Sequence, residues 1–302
     1  MAHRLCLLLC ICLKIWQDCA TVNAVMNNRE NMISTPQYTV LCSADELNID
    51  KTFQCGQCFR WTADDRGGYS GIAYGKSLKL WTEQGEVRMD APAEMLPFWR
   101  RYFDLDTDYA RASEHFCCND YMRSCVSFGK GIRILRQESW ETLCSFIISQ
   151  CNNIPRIQKI VETLCRSFGE PVPGGFAFPA AERMAVCRAE ELAPLHAGYR
   201  TAYILEAARA VDSGRLDLAA LQNMDCAAAL EQVRTVRGVG EKVANCFILF
   251  GLHKMEAFPV DVWMRRALKA HFPENFDPAS FGSYAGLAQQ YIFYYARSGE
   301  NQ

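Results

Sequence analysis

Two hydrophobic rhythms divide the chain. Over residues 38–89 apolar positions fall in short β-prone runs, at 38–42, 59–62, 69–73, 77–82 and 86–89. Turn residues part them, among them Asp65, Gly67, Gly68, Gly75 and Gly85. Short runs broken at this spacing predict an antiparallel sheet. From about Pro92 the period becomes helical, first at 97–102, 109–116 and 121–128. Residues 140–150 form an apolar helix with Trp140, Leu143, Cys144 and Ile147 at helical spacing. A polar break at Cys151, Asn152 and Asn153 follows, and Pro155 suits the first turn of the next helix, to about Phe168. After a Pro/Gly-rich loop at 169–179, helices are predicted at 180–185, 189–193, 199–213, 216–221, 226–233, 242–252, 262–271 and 284–297. The fold class is thus α+β, a small N-terminal antiparallel β domain followed by a larger all-α domain. The expected division is 32–115 and 116–302, with the helical hairpin at about 226–252 and the boundary near 105–120.

The first 31 residues stand apart. Arg4, the apolar run 5–13 and Ala20 have the shape of a secretory signal peptide, and the run is too short to span a membrane. A start at Met26 or Met32 agrees better with the rest, so residues 1–31 are expected to be a disordered or artefactual extension of a cytoplasmic protein.

Half of the residues are hydrophobic and 22% are charged, which excludes a disordered chain. The net charge of −2 announces no polyanionic partner, so any nucleic-acid contact must come from local patches. One candidate spans 121–166, where Arg123, Lys130, Arg133, Arg136, Arg156, Lys159 and Arg166 face three glutamates. The same residues also read as an ordinary solvated helix face. Sixteen cysteines at irregular spacing, many within apolar helical runs such as Cys144, Cys165 and Cys246, read as reduced core residues. Cys55 and Cys58 form the single C-x-x-C. It lacks the second pair that zinc needs, and it sits among strand-like residues rather than opening a redox helix.

The most informative segment is 236–246. Gly238 and Gly240 make a tight turn between two predicted helices, and Lys242 falls in the first turn of the second. Glycines there allow positive φ and close backbone approach, and the free N–H groups of the helix start can hold a phosphate oxygen. A cation at that place opposes the helix dipole, which favours the neutral, nucleophilic amine. Alone, Lys242 reads as a surface lysine touching phosphate. Nineteen residues on, Asp261 precedes an apolar helical run, where aspartate commonly caps. A capped carboxylate stays ionised and can stabilise positive charge on a sugar.

With G-x-G-x-K and P-V-D in this order, the sequence resembles the helix-hairpin-helix base-excision glycosylases, and within them the 8-oxoguanine DNA glycosylase family, over about residues 37–297. The resemblance implies a bifunctional DNA glycosylase and apurinic-site lyase acting on 8-oxoguanine opposite cytosine, with Lys242 as nucleophile and Asp261 as acidic partner. It assigns base recognition to Gly56, Cys246, Pro259, Gln289 and Phe293. A carbonyl at Gly56 would accept the N7 hydrogen that only the lesion carries. DNA contact falls to Asn152, Asn153, Arg156, Tyr199, Arg200, Gly238, Gly240 and Trp263. Cys151 stands where the family usually has a third asparagine, and Trp263 replaces a histidine, which suggests a bacterial-type branch. No cofactor is implied, and no cysteine follows Cys246 to build a C-terminal iron–sulfur cluster. Sodium or potassium at the carbonyls of Arg234, Val236 and Val239 is a further implication. The expected partner is double-stranded DNA carrying 8-oxoguanine, bound by a monomer in a cytoplasmic, nucleoid-associated setting. Two rivals are a glycosylase for another damaged purine, in which the lysine is absent, and a non-catalytic hairpin protein that binds without nicking.

Overall fold

The structure is a computed structural model and describes residues 38–298. The expectations for residues 1–31 lie outside the described residues. Five strands, β1 (Thr39–Ser43), β2 (Trp61–Ala63), β3 (Tyr69–Ala73), β4 (Lys76–Glu83) and β5 (Glu86–Met89), form one antiparallel sheet ordered β1-β5-β4-β3-β2. Leu80 lies between Tyr69 and Met89 in one cross-strand row, and alternation keeps Leu78 and Val87 on the buried face too. Helices α1 (Ile49–Gln54) and α2 (Leu96–Tyr102) supply Phe53, Trp99 and Tyr102 to the same core. Phe53 stacks on Trp61 at 4.4 Å, and the Trp61 indole N–H donates to the Tyr102 hydroxyl at 2.9 Å. The sheet therefore holds a dense aromatic core.

Helix α1 corrects the expectation of strand-like residues around the C-x-x-C pair. Asn48 accepts from the Lys51 N–H and caps this six-residue helix, so Cys55 closes a helix rather than lying in a strand. The expected strand at 59–62 is displaced to Trp61–Ala63. Both thiols are buried and free, and burial pushes Cys55 up to about 12 and Cys58 well up too. They pack as small apolar groups.

The helical region comprises α3 (Tyr109–Ser113), α4 (Asp120–Gly129), α5 (Ser139–Ser149), α6 (Ile154–Phe168), α7 (Ala181–Ala185), α8 (Arg200–Asp212), α9 (Leu218–Asn223), α10 (Cys226–Arg234), α11 (Glu241–Gly251), α12 (Val262–His271) and α13 (Ala285–Ser298). The loop expected at 169–179 holds a two-residue hairpin, β6 (Pro171–Val172) with β7 (Gly175–Phe176). Helices α5 and α11 lie at the centre, with Phe146 and Phe250 stacked at 5.4 Å. Among the described residues no helix is long and apolar enough to cross a membrane.

An extended segment at 132–138 links α4 to α5 and fastens the sheet region to the helices. Buried Arg133 donates to the carbonyls of Glu46, Asp104 and Thr107. Buried Gln57 donates to the carbonyls of Thr52 and Arg133 and accepts from the Leu135 N–H. Gln57 thus braces the loop that carries Gly56.

Candidate active site

The site grows from the hairpin between α10 and α11. Gly238 has φ +91°, and a Cβ there would lie 2.2 Å from the Tyr203 ring, so only glycine fits. Gly240 caps α11 without a side-chain hydrogen bond. The first N–H groups of that helix therefore lack a side-chain acceptor, as an oxyanion site needs.

Lys242 rises from the first turn of α11. Its amine lies 5.1 Å from the centre of the Phe146 ring and 3.5 Å from the Ser149 hydroxyl. Cys246, four residues on, shares its helix face. Burial raises the Cys246 thiol, and the neighbouring Lys242 amine opposes that shift. Asp261 caps α12 by accepting from the Met264 N–H at 2.8 Å. Lys242, Asp261, Cys246, Pro259, Gly56, Gln289 and Phe293 all line one pocket. No ion pair within 4.0 Å joins Lys242 to Asp261 among the described residues. The amine is thus free of a carboxylate clamp.

The pocket is narrow but opens to the surface. Its cavity volume is about 40 Å³, far below the ~300 Å³ or more of a typical ligand pocket. The Phe293 ring lies against Gly56, 3.4 Å from where a Cβ would be. Arg297 sits over Phe293 and donates to the Gln54 carbonyl at 2.9 Å. Buried Gln289 and Gln290 each carry a side-chain oxygen without a hydrogen-bond partner. Such orphans are costly unless a ligand satisfies them. An open groove of about 1070 Å³ beside Arg60 and Lys159 includes neither Lys242 nor Asp261.

A second cluster flanks the hairpin. Cys151 is held at φ +46°. Asn152 donates to the Ile148 carbonyl, and Asn153 caps α6 at the Arg156 N–H. Arg156 donates to the His196 carbonyl at 3.3 Å, and Tyr199 is 51% exposed. Arg200 is buried, donating to the carbonyls of Gln150, Cys151 and Ala197. It therefore shapes the loop from behind. Gln150 ties this loop to the hairpin by donating to the Gly238 carbonyl at 3.0 Å. Trp263 is exposed near the start of α12, away from the pocket lining.

The pattern reading missed Cys55, Phe146, Ser149, Gln150, Phe250 and Gln290 as members of the site. Phe146 and Phe250 look like any core aromatic in an apolar run. The polar pair Ser149 and Gln150 at the end of α5 was the usable signal. The run 121–166 is not one basic face: Arg133 is buried, while Arg123, Arg136 and Arg166 pair with Asp120, Asp104 and Glu162.

A capped hairpin, an amine in the first turn beyond it and a carboxylate facing a buried pocket define a helix-hairpin-helix base-excision repair protein. Residues 39–143 match the 8-oxoguanine DNA glycosylase N-terminal domain, and residues 144–279 match the HhH-GPD superfamily of base excision DNA repair proteins. The chain belongs to the 8-oxoguanine DNA glycosylase family. It is 34% identical over 267 residues to the N-glycosylase/DNA lyase of Saccharomyces cerevisiae, covering 75% of this chain and 69% of the yeast protein. It superposes on MBOgg1, solved in complex with a low affinity DNA ligand, with a TM-score of 0.80 and 35% identity over 86% of this chain and 94% of the other. The 8-oxoguanine glycosylase/lyase of Clostridium acetobutylicum, solved with DNA containing cytosine opposite 8-oxoG, gives 0.79 and 32% over 85% and 93%.

Proposed function

We propose that the protein excises 8-oxoguanine opposite cytosine from duplex DNA and then nicks the strand. The observation that carries the residue assignment is the convergence of Lys242 and Asp261 on one pocket with Gly56, Gln289 and Phe293. The lesion is flipped out because its reacting carbon is inaccessible in the stack. The Lys242 amine attacks the anomeric carbon, the bond to the base breaks, and 8-oxoguanine leaves. Asp261, fixed as the cap of α12, stabilises the cationic sugar and assists proton transfer. The resulting Schiff base undergoes β-elimination, which breaks the 3′ phosphate bond.

Recognition is divided. Gln289 offers its unpaired oxygen to the edge of the base, and the Gly56 carbonyl accepts the N7 hydrogen of the lesion. Phe293 and Cys246 take the two faces of the base. Asn152, Asn153, Arg156 and Tyr199 read and fill the gap opposite, with Arg200 fixing their loop. Gly238 and Gly240 hold phosphate, and Trp263 meets the backbone beside them.

One chain supplies every wall of the pocket, so a monomer suffices. The carbonyls of Arg234, Val236 and Val239 are neutral oxygen donors at the hairpin, suited to sodium or potassium. Trp263 supports the bacterial-type branch, and a DNA substrate in such a cell means a cytoplasmic, nucleoid-associated location. The divisions 32–115 and 116–302 remain our assignment of domains. Lys242→Gln is expected to abolish excision and borohydride trapping on an 8-oxoguanine·cytosine duplex while leaving DNA binding largely intact. Near-normal excision by that variant would refute the mechanism.

A further inference from the structure

Helix α12 begins at the pocket and carries its charge outward. Its cap is Asp261, and Met264 and Ala267 bury its inner side. Its outer side exposes Val262 (55%), Trp263 (39%), Arg265, Arg266 and Lys269. At 100° per residue these positions fill one arc of about 160°. No Asp or Glu lies within the helix, and Arg265, Arg266 and Lys269 form no ion pair among the described residues. Four surface arginines elsewhere, Arg100, Arg123, Arg166 and Arg215, are each paired with a carboxylate, whereas exposed Arg66, Arg101, Arg111, Arg234 and Arg237 form no ion pair among the described residues; what sets α12 apart is that three such cations share one helix face. In a chain of net charge −2, this arc is a local concentration of uncompensated cation.

Helix energetics account for little of it. A cation in the last turn is favoured by the dipole, which covers Lys269 but not Arg265 or Arg266 near the start. Two unpaired cations near the positive end weaken the helix unless an anion meets them. The Arg266 guanidinium lies over the Trp263 ring at 5.6 Å, so one stands beside an apolar, planar shoulder. The cations lie four to eight residues from the cap, about 6–12 Å along the helix axis. At ~3.4 Å of duplex axis per nucleotide, that distance spans roughly two to four phosphates of one strand.

We propose that the outer arc of α12 is a sequence-independent phosphodiester track that grips one strand two to four nucleotides from the lesion. Arg266 and Lys269 neutralise phosphates, and Trp263 packs on the sugar on the pocket side of them. This track rests on the glycosylase reading for its place on the substrate. It is separate from the hairpin, which holds phosphate through backbone N–H groups.

The test compares wild type, the double variant Arg266→Gln with Lys269→Gln, and the control Arg166→Gln, all confirmed folded by thermal melting. Binding to an undamaged duplex is measured across salt concentrations. The double variant is expected to lower the slope of log affinity against log salt by about 2, and the control to leave it unchanged. A duplex cut short within two nucleotides of the lesion, on one side only, should erase the difference between wild type and double variant. An unchanged slope in the double variant overturns the track, as does an equal fall in the control. Wild-type excision of 8-oxoguanine is measured in parallel. If excision is absent while the slope still falls, the substrate reading fails and the track stands.

Discussion

The sheet region and the helical region do different work by different packing. The sheet encloses stacked aromatic rings, Phe53, Trp61, Tyr69, Trp99, Tyr102 and Phe103, and gives the pocket only Cys55 and Gly56. The helical region is built mostly on aliphatic side chains and supplies the amine, the carboxylate and both buried glutamines. The proposed chemistry sits at helix starts, with the amine in the first turn of α11 and the carboxylate held as the cap of α12. The proposed base reading falls on the loop backbone at Gly56, which the aromatic core and the Gln57 hydrogen bonds brace. Rigidity in one region and charge in the other are thus separable.

Trp61→Ala should test that separation hardest. It removes the ring stacked on Phe53 and should cost about 3–5 kcal/mol of stability. In the molecules that remain folded at low temperature, borohydride trapping on an abasic site should persist while preference for 8-oxoguanine over guanine falls. Equal loss of both would show that the regions are not separable. Asp261→Asn comes next. Asparagine caps as well as aspartate, so denaturation should show a change under about 0.5 kcal/mol, while excision should fall by roughly 10²–10³-fold.

Gly56→Ala is smaller. The position has φ +78°, where a side chain costs about 1–2 kcal/mol. The new methyl would also press on Phe293. Excision of 8-oxoguanine should slow under single-turnover conditions, with cleavage of a preformed abasic site little changed. The mildest lever is pH, acting where the regions join. Burial alone would raise the Asp104 carboxyl, but His253, Arg136 and the Tyr109 hydroxyl outweigh it and hold it well below the usual range. The unfolded state then binds the proton more readily. Asp104 therefore contributes stability above the ordinary aspartate value near ~3.9, lost as pH falls toward the lower folded value. The slope is at most about 1.4 kcal/mol per pH unit for one proton. Asp104→Asn should flatten the acid limb of a denaturation series, and an unchanged limb would remove Asp104 from the joint.

Much of this was legible because periodicity and caps are local. The helices of the second region follow from spacing, and Asp261 was readable as a cap from its place before an apolar run. The six-residue helix α1 was not, because it is too short to show a period; Asn48 was its one local sign. The expected helices at 109–116 and 189–193 end or continue as 3-10 turns, at Glu114–Phe116 and over Ala189–Leu195, which hydrophobic spacing does not distinguish. Phe146 and Ser149 reach Lys242 only because α5 packs on α11, a contact between residues far apart in sequence. Arg200 was read as a DNA contact, and its further bonds to the carbonyls of Gln150, Cys151 and Ala197 are ones no local pattern reveals.

The narrow cleft between Phe293 and Gly56 has a consequence for how a rare lesion is found among ordinary bases. An extruded nucleotide must first displace the ring and only then meet the carbonyl and the glutamines. The first hurdle is the same for every purine, and the second alone separates the lesion, by about tenfold for each 1.4 kcal/mol that the carbonyl contact contributes. In the proposed reading an ordinary guanine crosses the same barrier but brings no N7 hydrogen to the Gly56 carbonyl, so it is returned to the stack while the lesion is kept.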